Sequence, residues 1–373
     1  MKLTNIRLGD YIKRSTVNNS DLKYGEELIT GVNSNGIFSA PKGGTLGVNL
    51  KPYKIVNDGA FVYNPTRLNL GSLAYRTEGL CIVSHLYMIF YLTEEGKKII
   101  DPQWLYIYFH RDEFKREVTF RNFGSQRPEF NFKDMSDIII PLPDIDIQRK
   151  YVGIYQAMVS NQKCYERGLE DLKMTCDAYI EDLRRNLSCK AIGPYIERHD
   201  VRNGPKGTKN VMGVSTAKEF REPTSKVNKN ELSNYKVVKP RQISFVQTTH
   251  NEKVFCNAFN NTAKDIVVTP VNEVFSTNED ILLPEYLVMF FNRTEFDRYA
   301  RFHSWGSARE TFTWDDLVKV EIPIADIATQ KSIVDIFTVY KERKQINLKL
   351  KKQIKNICSI LIKGSIEEAR KEV

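Results

Sequence analysis

The chain has 373 residues, 41% hydrophobic and 11% aromatic, enough apolar material for two or three packed domains and too much for a disordered tail. A net charge of +9 and a pI of about 9.0 suit an anionic partner, nucleic acid first, or simply a basic, soluble protein. No apolar run approaches the ~18–20 residues of a membrane span, the N-terminus lacks the apolar core of a secretory signal, and six scattered cysteines without a CxxC pair fit free thiols of a cytoplasmic protein.

In chain order, strand-like runs occur at Ala60–Tyr63 and Leu80–Val83. A helix opening on proline is predicted over Pro102–Phe114, since proline is tolerated in a first turn. Ile140-Pro-Leu-Pro143 then reads as a strand end, because the residue before a proline avoids helix, and Asp144 and Asp146 suit the start of the next helix. Over 148–187, Tyr151, Met158, Tyr165, Leu172 and Tyr179 recur every seven residues, while Tyr155, Leu169, Cys176 and Leu183 fill a second series in which Gln162 is the polar member.

The same order then repeats. Strand-like runs at Gln242–Val246 and Asp265–Val268 precede a helix predicted over Pro284–Tyr299, the extended stretch Ile322-Pro-Ile-Ala325 and the helix-start residue Asp326. Over 330–365, Ile333, Tyr340, Ile354 and Leu361 recur every seven residues. Ile336, Leu350 and Ile357 fill the second series, with Arg343 and Asn347 as polar interruptions. Heptads sustained this long describe two coiled-coil-like helices, each roughly 50–60 Å long at 1.5 Å per residue. Gln162 and Asn347 either mark where the seam is exposed or fix its register, as buried polar residues do in coiled coils.

The recurrence is a duplication. Pro102–Gln148 and Pro284–Gln330 align without a gap at an offset of 182 residues, with 18 of 47 positions identical. Gly9-Asp-Tyr-Ile-Lys-Arg14 answers Gly193-Pro-Tyr-Ile-Glu-Arg198, and Tyr53-Lys-Ile-Val56 answers Tyr235-Lys-Val-Val238. A period this long exceeds the 20–50 residues of solenoids, so a whole domain with its connector is repeated. The expected fold class is α+β: two pseudo-repeated globules, 1–147 and 190–329, alternating with two long, paired antiparallel helices, 148–189 and 330–373.

Enzyme motifs are missing. None of the five histidines has a Cys, His or carboxylate at metal-ligand spacing, and Gly204-Pro-Lys-Gly-Thr208 lacks the order of a phosphate-cradling loop. Asn64-Pro-Thr-Arg67 lacks the second proline and the aromatic of an amino-methyltransferase motif. No catalytic residue and no metal site is expected.

Two motif sets carry a resemblance: Gly124-Ser-Gln-Arg127, Phe132, Ile140-Pro-Leu-Pro143 and Gln148, answered by Gly306-Ser-Ala-Arg309, Trp314, Ile322-Pro-Ile-Ala325 and Gln330. With the opening Lys2–Asp10 and the strand region Tyr63-Asn64 with Arg67, these resemble the specificity subunits of type I restriction–modification systems along the whole chain. Departures are Ala325 at the second proline, and Ile147 and Thr329 where the family has Glu. The resemblance implies two target-recognition domains that read a bipartite, asymmetric double-stranded DNA target. It implies helices that dock two modification (methyltransferase) subunits, joined by restriction (translocase/nuclease) subunits. S-adenosylmethionine, ATP and Mg2+ would belong to that assembly and none to this chain.

DNA contacts are expected among polar and basic residues in segments that differ between the repeats. In the first globule they are Lys42, Arg67, Arg76, Arg121, Gln126 and Arg127. In the second they are Arg202, Lys206, Lys209, Arg241, Gln247, His250, Arg301 and Arg309. Each alternatively reads as a solvated surface charge. Arg127 and Arg309 recur, which favours phosphate contact or loop positioning over base reading, whereas the recurring Arg111/Arg293 and Arg116/Arg298 read as structural salt links. The twelve seam residues Tyr151, Met158, Tyr165, Leu172, Tyr179, Ile333, Ile336, Tyr340, Leu350, Ile354, Ile357 and Leu361 are the expected subunit-docking set. Two other readings stand beside this one: a coiled-coil scaffold without a DNA role, and the recognition portion of a stand-alone methyltransferase system.

Overall fold

The structure, a computed structural model, describes residues 3–41, 43–121, 129–228, 230–248, 254–304 and 310–371. The chain divides into two units, Met1–Tyr165 with Ile346–Val373, and Glu166–Gln345. Each long helix contributes to both.

In the first unit a four-stranded antiparallel sheet runs in the order Ile12–Ser15, Met88–Leu92, Phe61–Tyr63, Leu73–Tyr75. Alternation along its strands sends side chains to opposite faces. Phe61, Tyr63, Leu73, Phe90 and Leu92 join a core with Trp104, Tyr108, Phe109 and Phe114 of the following helices. Val62, Ala74 and Ile89 join a smaller core under the pair Lys54–Val56 and Cys81–Val83. The Phe61 and Phe90 rings stack at 5.0 Å. The second unit has the same topology, Ile196–His199, Asn272–Thr277, Ile243–Val246, Asn257–Phe259. Phe245 and Phe275 are on its helix-covered face and Val274 on the other.

Fasteners recur between the repeats, at an offset of 184 near the start of each unit and 182 further along. Strand Leu3–Arg7 pairs antiparallel with Ile139–Pro143, and Cys189–Ala191 with Glu321–Pro323. Gly9 backs onto Ser136 so closely that a Cβ would lie 2.9 Å from the Ser136 carbonyl oxygen, and one at Gly193 would lie 2.9 Å from that of Val318. No larger residue fits either place without displacing backbone. Short helices Phe132–Ser136 and Trp314–Leu317 both open with a capping box, Asn131 with Asp134 and Thr313 with Asp316.

The signature glutamines are the strongest fastener. Gln148 is fully buried. Its Oε1 accepts the Asp101 N–H at 2.8 Å, and its Nε2 donates to the carbonyls of Ile99 and Pro143, each at 2.8 Å. Gln330 accepts from Leu283 N–H at 2.9 Å and donates to Ile281 at 2.7 Å and Ala325 at 2.8 Å. Each side chain ties three segments together: the turn before the proline-first helix, the end of the extended stretch and the start of the long helix. Because a carbonyl is what position 143 or 325 supplies, alanine serves there as well as proline.

Three expectations are adjusted. The helices predicted over Pro102–Phe114 and Pro284–Tyr299 each break in two, giving Pro102–His110 with Asp112–Arg121, and Pro284–Phe291 with Thr294–Phe302. Arg111 and Arg293 at the breaks are extended, with ψ of 149° and 148°. The long helices start earlier than the heptads, at Ile145 and Ile327, and run to Asn186 and Lys371, because Asp144 and Asp326 cap them: the Asp326 carboxylate accepts the Thr329 N–H and hydroxyl. The seam also drifts. Tyr179 is exposed while Ile180 is buried, as 3.6 residues per turn measured against a repeat of 3.5 requires.

Within the first unit the long helices run antiparallel, with Lys150 paired to Glu368 at 2.8 Å and Gln162 Nε2 donating to Asn347 Oδ1 at 2.9 Å. Both members of that polar pair are buried, so register fixing is the reading that holds. Val152, Cys358, Leu361 and Ile362 enter the first unit's main core, and Ile180, Leu183 and Ile333 enter that of the second. Trp104 Nε1 donates to Ser365 Oγ at 3.1 Å, tying the end of the second long helix to the first globule.

Two predictions follow from these buried polar groups. Gln148→Ala strands the Asp101 N–H and two carbonyls, so the first unit should lose about 2–4 kcal/mol, read as a lower urea midpoint; an unchanged midpoint would show that the fastener is dispensable. His110 is half-buried with its Nε2 enclosed, its Nδ1–H donates to the Tyr106 carbonyl at 2.8 Å, and desolvation of the ring pulls its pKa down to about 4. The unfolded chain binds this proton more readily, so stability is full above about pH 6.5 and falls as the pH drops towards 4, by up to about 3 kcal/mol. His110→Gln should flatten that slope in urea titrations across the window.

Candidate nucleic-acid interface

In both units the loop after a central strand is met at the end of the sheet by a backbone N–H from the segment ahead of the short capped helix. The loop after strand Phe61–Tyr63 accepts at the Pro65 carbonyl from Phe130 N–H at 3.0 Å; the loop after Ile243–Val246 accepts at the Gln247 carbonyl from Phe312 N–H at 2.8 Å. Phe130 and Phe312 are buried, anchoring the C-terminal ends of the Gly-Ser loops against the strand loops. Thr248 and Thr311 add a bridge in the second unit. Just ahead of the Gly-Ser loops, at the end of the preceding helix, stand Phe120 and Phe302, 82% and 80% exposed. A phenylalanine so exposed adds nothing to a core. It recurs at the same position in both units.

Of the sequence candidates, Lys42, Gln126, Arg127, His250 and Arg309 lie outside the described residues. Arg67 is exposed in the first unit's strand loop, and Gln247 and Arg301 line one small cleft beside the corresponding loop of the second. These three are the candidates that the structure brings to the loop edge. Lys206 and Lys209 are exposed in the segment after Arg202.

Others are committed within the fold. Arg121 forms an ion pair with Glu117 at 2.8 Å. Arg76 donates to the Gly79 carbonyl at 3.0 Å and covers the Phe38 ring. Arg202 is held by the Asn234 carbonyl and Asp200. Arg241, in the left-handed region at φ +67°, grips Glu279 and Glu285 at 2.6–3.0 Å. These two carboxylates raise its pKa further, Glu279 first. A guanidinium engaged this way clamps the turn to the next helix. Arg116 and Arg298 bind Glu113 and Glu295, as the salt-link reading expects. Arg293 binds Asp177, Glu181 and Glu295, whereas Arg111 stacks 3.7 Å over the Tyr108 ring.

The second unit carries a charged network that the sequence did not reveal. Glu273, buried in its strand, accepts two bonds from Arg198 at 2.7 and 2.8 Å. Glu273 also lies 3.6 Å from the buried Lys236 and accepts from the side-chain amide of Gln247. The bond to Glu273 is the first cause of a raised Arg198 pKa, and the bond from Arg202 is the first cause of a lowered Asp200 pKa. This network orients Gln247, a residue type that pairs with adenine through its amide. Lys218 forms a second buried link, reaching the Phe291 carbonyl at 2.6 Å and Asp297 at 2.8 Å. Asp297 in turn accepts the Phe255 N–H at 2.9 Å where the strand loop returns; burial is the main cause of the lowered Lys218 pKa. Only the partners' placement, through strand pairing, reveals these links. Among the described residues no group of three or more His, Cys, Asp and Glu side chains could hold a metal ion, and no helix is long and apolar enough to cross a membrane.

Residues 5–167 match the family described as the type I restriction modification DNA specificity domain. No curated relative matches. Among solved structures, the type I restriction-modification S subunit from M. genitalium is similar at TM-score 0.57 and 10% identity, covering 98% of this chain and 96% of that one. A chain from a type I R-M system, in a structure addressing complex assembly and conformational transition, is similar at TM-score 0.51 and 14% identity, covering 97% of each. The HsdS subunit from Thermoanaerobacter tengcongensis, at 14% identity, covers 98% of this chain and 96% of its own, with a TM-score of 0.45. The fold is thus shared along the chain, and the sequence match covers the first repeat.

Glu273→Gln should leave the buried Lys236 with the more exposed Asp200, at 3.5 Å, as its carboxylate partner and release Arg198 and Gln247. Removing one partner of a buried charge pair costs up to about 3–5 kcal/mol, so a drop in denaturant midpoint is expected. An unchanged midpoint would remove the network from the account.

Proposed function

We propose, with residues 5–167 a type I restriction modification DNA specificity domain, that this chain is the non-catalytic DNA-recognition subunit of a type I restriction–modification enzyme. Each unit reads one half of a bipartite target. Arg67 in the first unit, and Gln247 and Arg301 in the second, are the described side chains assigned to the groove or the adjacent backbone. Base edges specify sequence, and phosphate contacts position the reader.

One observation carries this reading. The two units share their fasteners position by position, Gln148 with Gln330 and Phe130 with Phe312, while the side chains on the fastened loops differ. A conserved mount with unlike contents suits two readers of unlike half-sites. Two readers held in one chain also raise each other's effective concentration, so modest half-site affinities combine.

The long helices are proposed to dock two modification subunits, with restriction subunits completing the enzyme in the cytoplasm. S-adenosylmethionine would then serve those modification subunits, and ATP with Mg2+ the restriction subunits. Replacing residues 190–329 by the corresponding segment of a relative, and mapping methylation in cells that also express the modification subunit, tests the proposal. One half of the methylated sequence should change and the other stay. Change in both halves, or in neither, would contradict it.

A further inference from the structure

The second long helix is far more basic than its duplicate. Residues 341–355 carry seven basic side chains against one acid, Glu342, whereas the repeat-equivalent residues 159–173 carry three of each. The helical fold therefore does not demand the charge. Lys349, Lys352 and Lys355 follow one another at intervals of three and so form one row along the helix. All three are exposed. At the equivalent positions the first long helix has Arg167, Glu170 and Lys173, an interrupted row.

The row has no internal counter-charge. Several exposed bases elsewhere in the first unit are answered by acids, Lys97 by Glu94, Arg116 by Glu113, Arg121 by Glu117 and Lys150 by Glu368. Among the described residues none forms an ion pair or side-chain hydrogen bond with Lys349, Lys352 or Lys355. Like charges one turn apart destabilise a helix, so the pattern costs folding stability that an anion would restore.

The row also has a defined place. Four residues beyond Lys355, Ser359 accepts the Asp112 N–H at 3.2 Å and donates to Glu113 at 2.8 Å. The side of the helix that carries the lysines thus continues onto the first globule. The two acids at that junction are already paired, with Lys115 and Arg116.

We propose that Lys349, Lys352 and Lys355 form a second DNA contact, a sequence-independent one that holds the phosphate backbone of the duplex alongside the first globule. This rests on the DNA-recognition reading above. Lysine ammonium groups are point charges without the planar fork of arginine, suited to phosphates at no fixed geometry, and each neutralised phosphate steepens the salt dependence of binding.

The test is the triple variant Lys349→Gln, Lys352→Gln, Lys355→Gln in the complete subunit, alone and with its modification subunits. Glutamine matches lysine in helix propensity, and an unfolding midpoint no lower than that of the native protein checks the fold. Binding to duplex carrying the mapped target is measured over a range of salt. The slope of log Kd against log salt should fall by about 2–3, at roughly 0.9 per lost phosphate contact, with the ratio of target to non-target affinity unchanged. An unchanged slope overturns the inference. If the variant instead loses a protein subunit while the slope holds, the row, with the exposed Leu348 beside it, belongs to an acidic protein surface. Native protein without salt-dependent DNA binding would sink the DNA-recognition reading itself, a result distinct from failure of the variant alone.

Discussion

A fully buried side-chain amide with three backbone partners holds each repeat together. Gln148 and Gln330 supply an acceptor and two donor hydrogens to backbone groups that helix and strand hydrogen bonding leave unpaired. Leaving such groups unsatisfied in a core is costly. The start of each long helix is therefore locked to its globule, within the first turn of the helix. The capped helix starts, the close glycine contacts and the anchored loops are all built around that junction.

Rigid mounts permit variable readers. In both units a buried phenylalanine, Phe130 or Phe312, ties its N–H to the loop after a central strand, while the neighbouring sequence differs between the repeats. The second unit goes further and orients Gln247 through Glu273, Arg198 and Lys236. In the first unit the residue answering Arg198, Arg14, faces Phe90 across the sheet, and no carboxylate among the described residues pairs with it. The same fold thus offers one half a locked network and the other an exposed arginine.

Much of this was legible in the sequence because it is written twice. The strands Phe61–Tyr63, Cys81–Val83, Ile243–Val246 and Ile266–Val268, both long helices and the duplication follow from pattern alone. The breaks at Arg111 and Arg293 were hidden, since no glycine or proline marks them and both flanking segments favour helix. The roles of the arginines were hidden for another reason. Arg241 and Arg67 look alike in a sequence, but the first meets Glu279 and Glu285 only once a turn has brought them together. The signature glutamines were visible as a recurrence; that their job is to satisfy backbone groups required the fold.

The central claim is that two unlike readers on identical mounts serve one target. Mapping methylated bases across the genome of cells expressing the chain with the proposed modification subunit tests it most directly. The account predicts a single motif of two specified, non-identical halves separated by a fixed run of unspecified bases. One uninterrupted motif, or two identical halves, would contradict it.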